Sequence, residues 1–258
     1  MSIFLLTFSL ASLAIFVFMT AAFGLSLIFK RNDSADVAWG LGFIVVAITG
    51  IVVNGTSRLS WLVLLLVSVW GIRLSLHIFS RLLRSPEDKR YAAWRVAWGK
   101  WFMPRSYGQI FLLQGALLLI VSLPVTIALL FGYRPPVLLV FVAVLLWVFG
   151  FVFEAVADWQ LKKFLASRVT VGGVMQHGLW HYSRHPNYFG EVTQWWGLWL
   201  MTAASPLWFL SILGPLLITF LILRISGVPM LEASYVGNQE YDAYKRRTSM
   251  FIPLPPRS

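Results

Sequence analysis

The chain has 258 residues, 59% of them hydrophobic and only 12% charged, with a mean hydropathy of +0.76. A soluble domain carries about twice that share of charge, so composition excludes an ordinary soluble enzyme and points to a membrane. The formal net charge of +11 reads here as basic loops on one membrane face rather than a nucleic-acid surface, and no nucleic-acid partner is expected. Cysteine is absent, which excludes disulfides, thiolate metal sites and cysteine nucleophiles.

In chain order, the first apolar run covers 3–29. It lacks a basic leader and exceeds a signal-peptide core, so it is expected to stay as a spanning helix. Runs follow at 36–54, 60–80, 108–131, 135–157, 187–205 and 207–228, each near the ~20 residues that cross a bilayer. The expectation is one all-α polytopic membrane bundle of about seven transmembrane helices forming a single integral membrane domain. Lys30 and Arg31, then Arg81 to Arg105, then Lys162 to Arg184, then Lys245 to Arg257 fall in alternate loops, whereas the opposite loops hold only Arg58 and Arg134. That bias puts the N-terminus outside and the C-terminus in the cytoplasm.

The acidic residues gather at the same ends of the spans. Asp33 and Asp36 open the second, Glu154 and Asp158 close the fifth one turn apart on one face, and Glu191 opens the sixth. A charge inside a span is costly unless it meets a cavity or a partner. Asp36, Arg73, Glu154, Asp158 and Glu191 are therefore expected in an inward polar cluster; the plainer reading is interfacial charges that snorkel. The basic stretches "RLLRSPEDKRYAAWR" (81–95) and "DWQLKKF" (158–164) suit anionic lipid or the phosphates of a cofactor. No Gly-rich dinucleotide fingerprint or P-loop is present.

The densest polar stretch is "HYSRHPNYFGE" (181–191). His177, His181 and His185 are four apart, which on a helix would suggest a metal, but Gly178 and Pro186 interrupt that helix and no metal is expected. Pro186 suits a first helical turn, with Ser183 or His185 as the cap. Asn187, Tyr188 and Glu191 then project from an N-terminus that favours anions. No Ser-His-Asp arrangement is persuasive. Trp195, Trp196 and Trp199 are read as packing residues before pocket residues.

"GLWHYSRHPNYFGE" (178–191), with "FEAVADWQLKKF" (153–164) before it and "EYDAYKRRTSMFIPLPP" (240–256) after it, resembles the steroid 5α-reductase superfamily, and more narrowly its bacterial branch of poorly defined substrate. The resemblance implies a seven-helix membrane fold whose cofactor-binding half is roughly 135–258. It implies cytoplasmic NADPH, and reduction of a carbon–carbon double bond conjugated to a ketone in a lipophilic substrate entering from the bilayer. By matching position, Asn187 and Glu191 would meet the nicotinamide end and Asp158 the cofactor. Arg73 would lie near the phosphates, with Arg90 and Tyr91 in the matching loop and Tyr235 and Tyr244 in the tail that closes over the nucleotide. Lys162, Arg184 and Tyr188 lie in the same motifs and join the expected cofactor site. The Gln-Glu pair of steroid reductases is missing from the second span, and Trp70 stands near where their third-helix Tyr is expected. Asp36, with Tyr91, is therefore the expected catalytic acid. Isoprenylcysteine-type methyltransferases share R-H-P-x-Y-x-G, and Glu232 with "EYDAYKRR" is similar to their tail. S-adenosylmethionine chemistry and a non-enzymatic lipid-binding protein stay open beside the reductase. The expected localisation is a bacterial inner membrane, in contact with its lipids, with the active site facing the cytoplasm.

Overall fold

A computed structural model describes residues 2–167 and 173–257, except for the side chains of Lys89 and Arg90. The cofactor contact expected at Arg90 and the basic residue Arg168 therefore lie outside the described residues. The fold is all-helical; among the described residues the only extended pairing recorded is an isolated bridge between Ser183 and Ser249. The helices are α1 Ile3–Phe29, α2 Ser34–Asn54, α3 Arg58–Leu82, α4 Lys89–Trp98, α5 Phe102–Ser106, α6 Leu113–Val121, α7 Leu123–Ala128, α8 Val137–Ala166, α9 Pro186–Leu200, α10 Trp208–Ser211, α11 Leu213–Phe220, α12 Val228–Ala233 and α13 Gln239–Arg247. Among the described residues five segments are long and apolar enough to cross a membrane: α1, α2, α3, α8 and the stretch Trp208–Ala233.

The two other apolar runs do not form such helices. Run 108–131 opens on a wider π turn at Tyr107–Leu112 and breaks at Ser122, where α7 begins with Leu123 and Pro124. Proline has no N–H to continue the preceding turn. Run 187–205 lies in the 15-residue helix Pro186–Leu200 and then turns.

The chain forms two compact units, Met1–Pro135 with Ala204–Leu213 and Pro136–Ala203 with Gly214–Ser258. In the first, α3 shows its apolar residues outward: Trp61, Leu65, Val69, Ile72, Leu76 and Phe79 are exposed at three- and four-residue spacing. Its buried face includes Ser60, Gly71 and Ser75. Val63, Leu66, Val67 and Trp70 are buried on that face as well, so α3 is apolar on both faces, the pattern of a helix packed in lipid. Small residues bring α2 and α3 together; a Cβ on Gly40 would sit 2.7 Å from the Gly71 carbonyl oxygen, and Ser75 Oγ donates to the Val37 carbonyl at 2.9 Å. Asn54, buried at the end of α2, bonds Thr7 of α1 at 3.0 Å and the backbone of Phe131 at 3.1 Å.

In the second unit α8 buries Ala143, Trp147, Gly150, Glu154 and Ala157, a seam of alternating four- and three-residue steps. It packs antiparallel to α9: Trp147 meets Gly197, Gly150 meets Gln194, and Asp158 meets Asn187. At Gly190 a Cβ would lie 2.5 Å from the Glu154 nitrogen and 2.6 Å from the Gly150 oxygen, so the two backbones touch there.

Candidate functional site

The second unit holds the stretch 181–191 from three directions. From α8, Gln160 Oε1 accepts from the Leu179 N–H at 3.0 Å, and the Ala157 carbonyl accepts from Trp180 Nε1 at 3.1 Å. From the tail, Ser249 accepts from the Arg184 N–H at 2.9 Å, and Ser183 Oγ donates to the Phe251 carbonyl at 2.7 Å. From α13, the Tyr244 hydroxyl donates to the Trp180 carbonyl, with the Ser183 carbonyl 3.2 Å away. Burial pushes the Tyr244 phenol above its ordinary range, so it remains a donor at neutral pH.

His185 occupies the cap position of α9, yet its side chain makes no capping bond; Pro186 is the first helical residue. The imidazole is fully buried, stacks on Tyr188 at 5.6 Å between centroids, and places Nε2 3.2 Å from Glu232. Burial lowers its pKa below the usual histidine value although Glu232 pulls the other way. A neutral ring that donates from Nε2 leaves Nδ1 as an acceptor, and Nδ1 is buried with no partner. His177 and His181 are exposed. Among the described residues no group of three or more His, Asp or Glu side chains is arranged to hold a metal ion.

Below the cap, two carboxamide–carboxylate pairs link α9 to α8. Asn187 Nδ2 donates to Asp158 Oδ1 at 3.2 Å, and Gln194 Nε2 donates to Glu154 Oε2 at 2.6 Å. Residues 154 and 158 are one turn apart on α8, and 187 and 194 two turns apart on α9, so the antiparallel register produces both pairs. In each pair the amide oxygen, Asn187 Oδ1 or Gln194 Oε1, is buried without a partner. Glu191 and Tyr188 are half-buried on the same helix, and Lys162 is exposed near the end of α8. Arg184 points to Glu232, with Nη1 2.5 Å from Oε1. Tyr235 stacks on Tyr241 at 4.3 Å.

The first unit contains a second polar group. The Tyr91 hydroxyl from α4 donates to Asp36 Oδ1 at 2.8 Å, and Gln114 Nε2 from α6 approaches the same oxygen at 3.3 Å. Gln114 Oε1 is buried without a partner. Arg73 is half-buried on α3 in this unit. Asp33, by contrast, is engaged by Arg31 at 2.8 Å and by the Asp88 N–H at 3.0 Å, and Arg31 also donates to the carbonyls of Leu82, Ser85 and Pro86 at and beyond the end of α3.

Asp36 and Tyr91 thus meet, as do Asp158 and Asn187. Asp36, Arg73 and Tyr91 lie in the first unit, while Asp158, Lys162, Arg184, Asn187, Tyr188, Glu191, Tyr235 and Tyr244 lie in the second. Sequence reasoning missed Gln114, Gln194 and Gln160 altogether. An amide carries no charge to stand out in an apolar run, and its position opposite an acid depends on helix register. It also left His185 as a cap and Glu232 as a tail residue.

The fold and these groups define a helical, membrane-type protein with buried polar sites. The chain belongs to the family described as protein of unknown function (DUF1295), whose model matches residues 22–248. No curated protein and no solved structure matches it.

Proposed function

We propose that the protein is a membrane-embedded NADPH-dependent reductase of a carbon–carbon double bond conjugated to a ketone, acting on a lipophilic substrate from the bilayer. The observation that carries this reading is the pair of buried, unpartnered acceptors at the start of α9, His185 Nδ1 and Asn187 Oδ1, beside the acid Asp158 and the cation Arg184. Buried acceptors left empty are costly, and a ligand with N–H or O–H donors, such as a carboxamide or a ribose, satisfies them. The residues present therefore fit the cofactor. Asp158, Asn187 and Glu191 hold its nicotinamide end, Arg184 and Lys162 its phosphates, and Tyr188, Tyr235 and Tyr244 shape the surrounding walls. When bound, NADPH supplies the hydride. The resemblance assigns Asp36 and Tyr91 to the substrate ketone; the Tyr91 hydroxyl, which donates to Asp36 Oδ1, is the kind of proton donor that a developing enolate oxygen needs. The same reading gives the chain seven crossings, an external N-terminus, and a cytoplasm-facing site in a bacterial inner membrane.

A second reading, an S-adenosylmethionine-dependent methyltransferase, draws on the bonds from Arg184 and His185 to Glu232, which join the two stretches shared with those enzymes. Melting of the detergent-purified protein separates the readings. NADPH alone among NADPH, NADH, S-adenosylmethionine and S-adenosylhomocysteine is expected to raise the melting temperature, by the equivalent of about 2.7 kcal/mol at a hundredfold excess over Kd. Glu191→Gln is expected to weaken that shift. A response only to the methionine derivatives replaces the reductase with the methyltransferase, and no response to any leaves a lipid-binding protein.

A further inference from the structure

Glu232 gathers three cationic or donor groups from two separate elements. Arg184 Nη1 and His185 Nε2 lie 2.5 and 3.2 Å from Oε1, and Lys245 Nζ lies 3.0 Å from Oε2. Arg184 and His185 belong to the loop before α9, and Lys245 belongs to α13. Arg184 is 7% exposed and His185 fully buried, while Glu232 is 13% exposed.

The charge count does not balance. One carboxylate faces a guanidinium and an ammonium, each with a full positive charge, and an imidazole N–H besides. A single ion pair needs one cation per acid; here the buried guanidinium of Arg184 and the half-exposed ammonium of Lys245, 51% exposed, share one carboxylate. Arg184 Nε is a further buried donor with no partner. A planar guanidinium, an imidazole N–H and an ammonium aimed at one pair of oxygens form a donor set better matched by a phosphoryl group, which offers a third oxygen and a second negative charge. Glu232 rides on α12, six residues long and set off from the preceding helical stretch by Ser226 and Gly227.

We infer that Arg184, His185 and Lys245 form a phosphoryl-binding site which the chain closes with its own Glu232 carboxylate, so that a phosphate-bearing ligand enters by displacing Glu232. The inference deepens the cofactor reading by adding its regulation, and rests on that reading only for which phosphate compound arrives.

The test uses the full chain in detergent and inorganic pyrophosphate as the probe, with affinity read from melting temperature over a concentration series. Glu232→Gln is expected to bind pyrophosphate about tenfold more tightly than the parent protein or better, the scale of one hydrogen bond to a charged group. Adding Lys245→Met to Glu232→Gln is expected to abolish that gain. NADPH and a short-chain phosphatidic acid, run in parallel, tell a nucleotide phosphate from a lipid phosphate. If Glu232→Gln binds pyrophosphate no better than the parent, the inference is overturned, whatever NADPH does. If it gains pyrophosphate while NADPH fails on every variant, the inference stands and the cofactor reading falls. Should Glu232→Gln fail to fold, Glu232→Ala, which likewise removes the carboxylate, serves, and a lack of any gain there is equally decisive.

Discussion

His185 shows how one residue's environment sets its chemistry. Its ring sits against Glu232 and Tyr188 with Arg184 beside it, and burial outweighs the nearby carboxylate, so its pKa falls below the ordinary 6.5. The sign follows directly. The unfolded chain takes up the proton first as pH drops, so the folded state loses stability on acidification. That stability is complete above about pH 6.5 and declines below it toward the folded value. The melting temperature is expected to drop between pH 7 and pH 5.5, and His185→Gln is expected to flatten that part of the profile. A flat profile in the parent protein would show that folding does not lower the His185 pKa. Little of this was legible in the sequence. The stretch 181–191 stood out by polarity, and Asn187 was read as a first-turn group projecting toward a ligand. That His185 would be buried, and that Asn187 would turn to Asp158, depended on residues more than twenty positions away.

At the scale of elements, the contact between α8 and α9 is made by absent side chains. Gly190→Ala is expected to destabilise by about 1–3 kcal/mol, because its Cβ would strike the Glu154 nitrogen and the Gly150 oxygen, which cannot give way as a flexible side chain does. Gly24→Ala in α1 is the control. Nothing lies within 4 Å of a Cβ there, so it is expected to be neutral or to stabilise by up to about 1 kcal/mol through helix propensity. Thermal melting of the two variants checks both. A loss at Gly190 would also pull apart the Glu154–Gln194 and Asp158–Asn187 pairs. The helices themselves were largely legible, since α1, α2, α3 and α8 fall on apolar runs. The run at 108–131 was not resolved into pieces, because hydropathy reports the solvent a segment tolerates and is blind to the turn at Tyr107–Leu112.

At the scale of the whole molecule, the chain offers a direct topology experiment, because it has no cysteine of its own. Single cysteines at Arg58 and Arg134 are expected to react with a membrane-impermeant thiol reagent in intact cells. Cysteines at Lys100 and Lys163 are expected to react only after lysis. Reaction at Lys100 in intact cells would reverse the proposed orientation. By itself the sequence determined the all-helical class, the membrane as solvent and the placing of most long helices, because each follows from local composition and spacing. It also marked the polar stretch at 181–191. Only the tertiary structure decided which polar atoms meet. The bonds of Tyr91 to Asp36, Gln194 to Glu154, and Lys245 to Glu232 each join separate elements. Such pairings are set by helix register and backbone approach, which no local pattern of residues records.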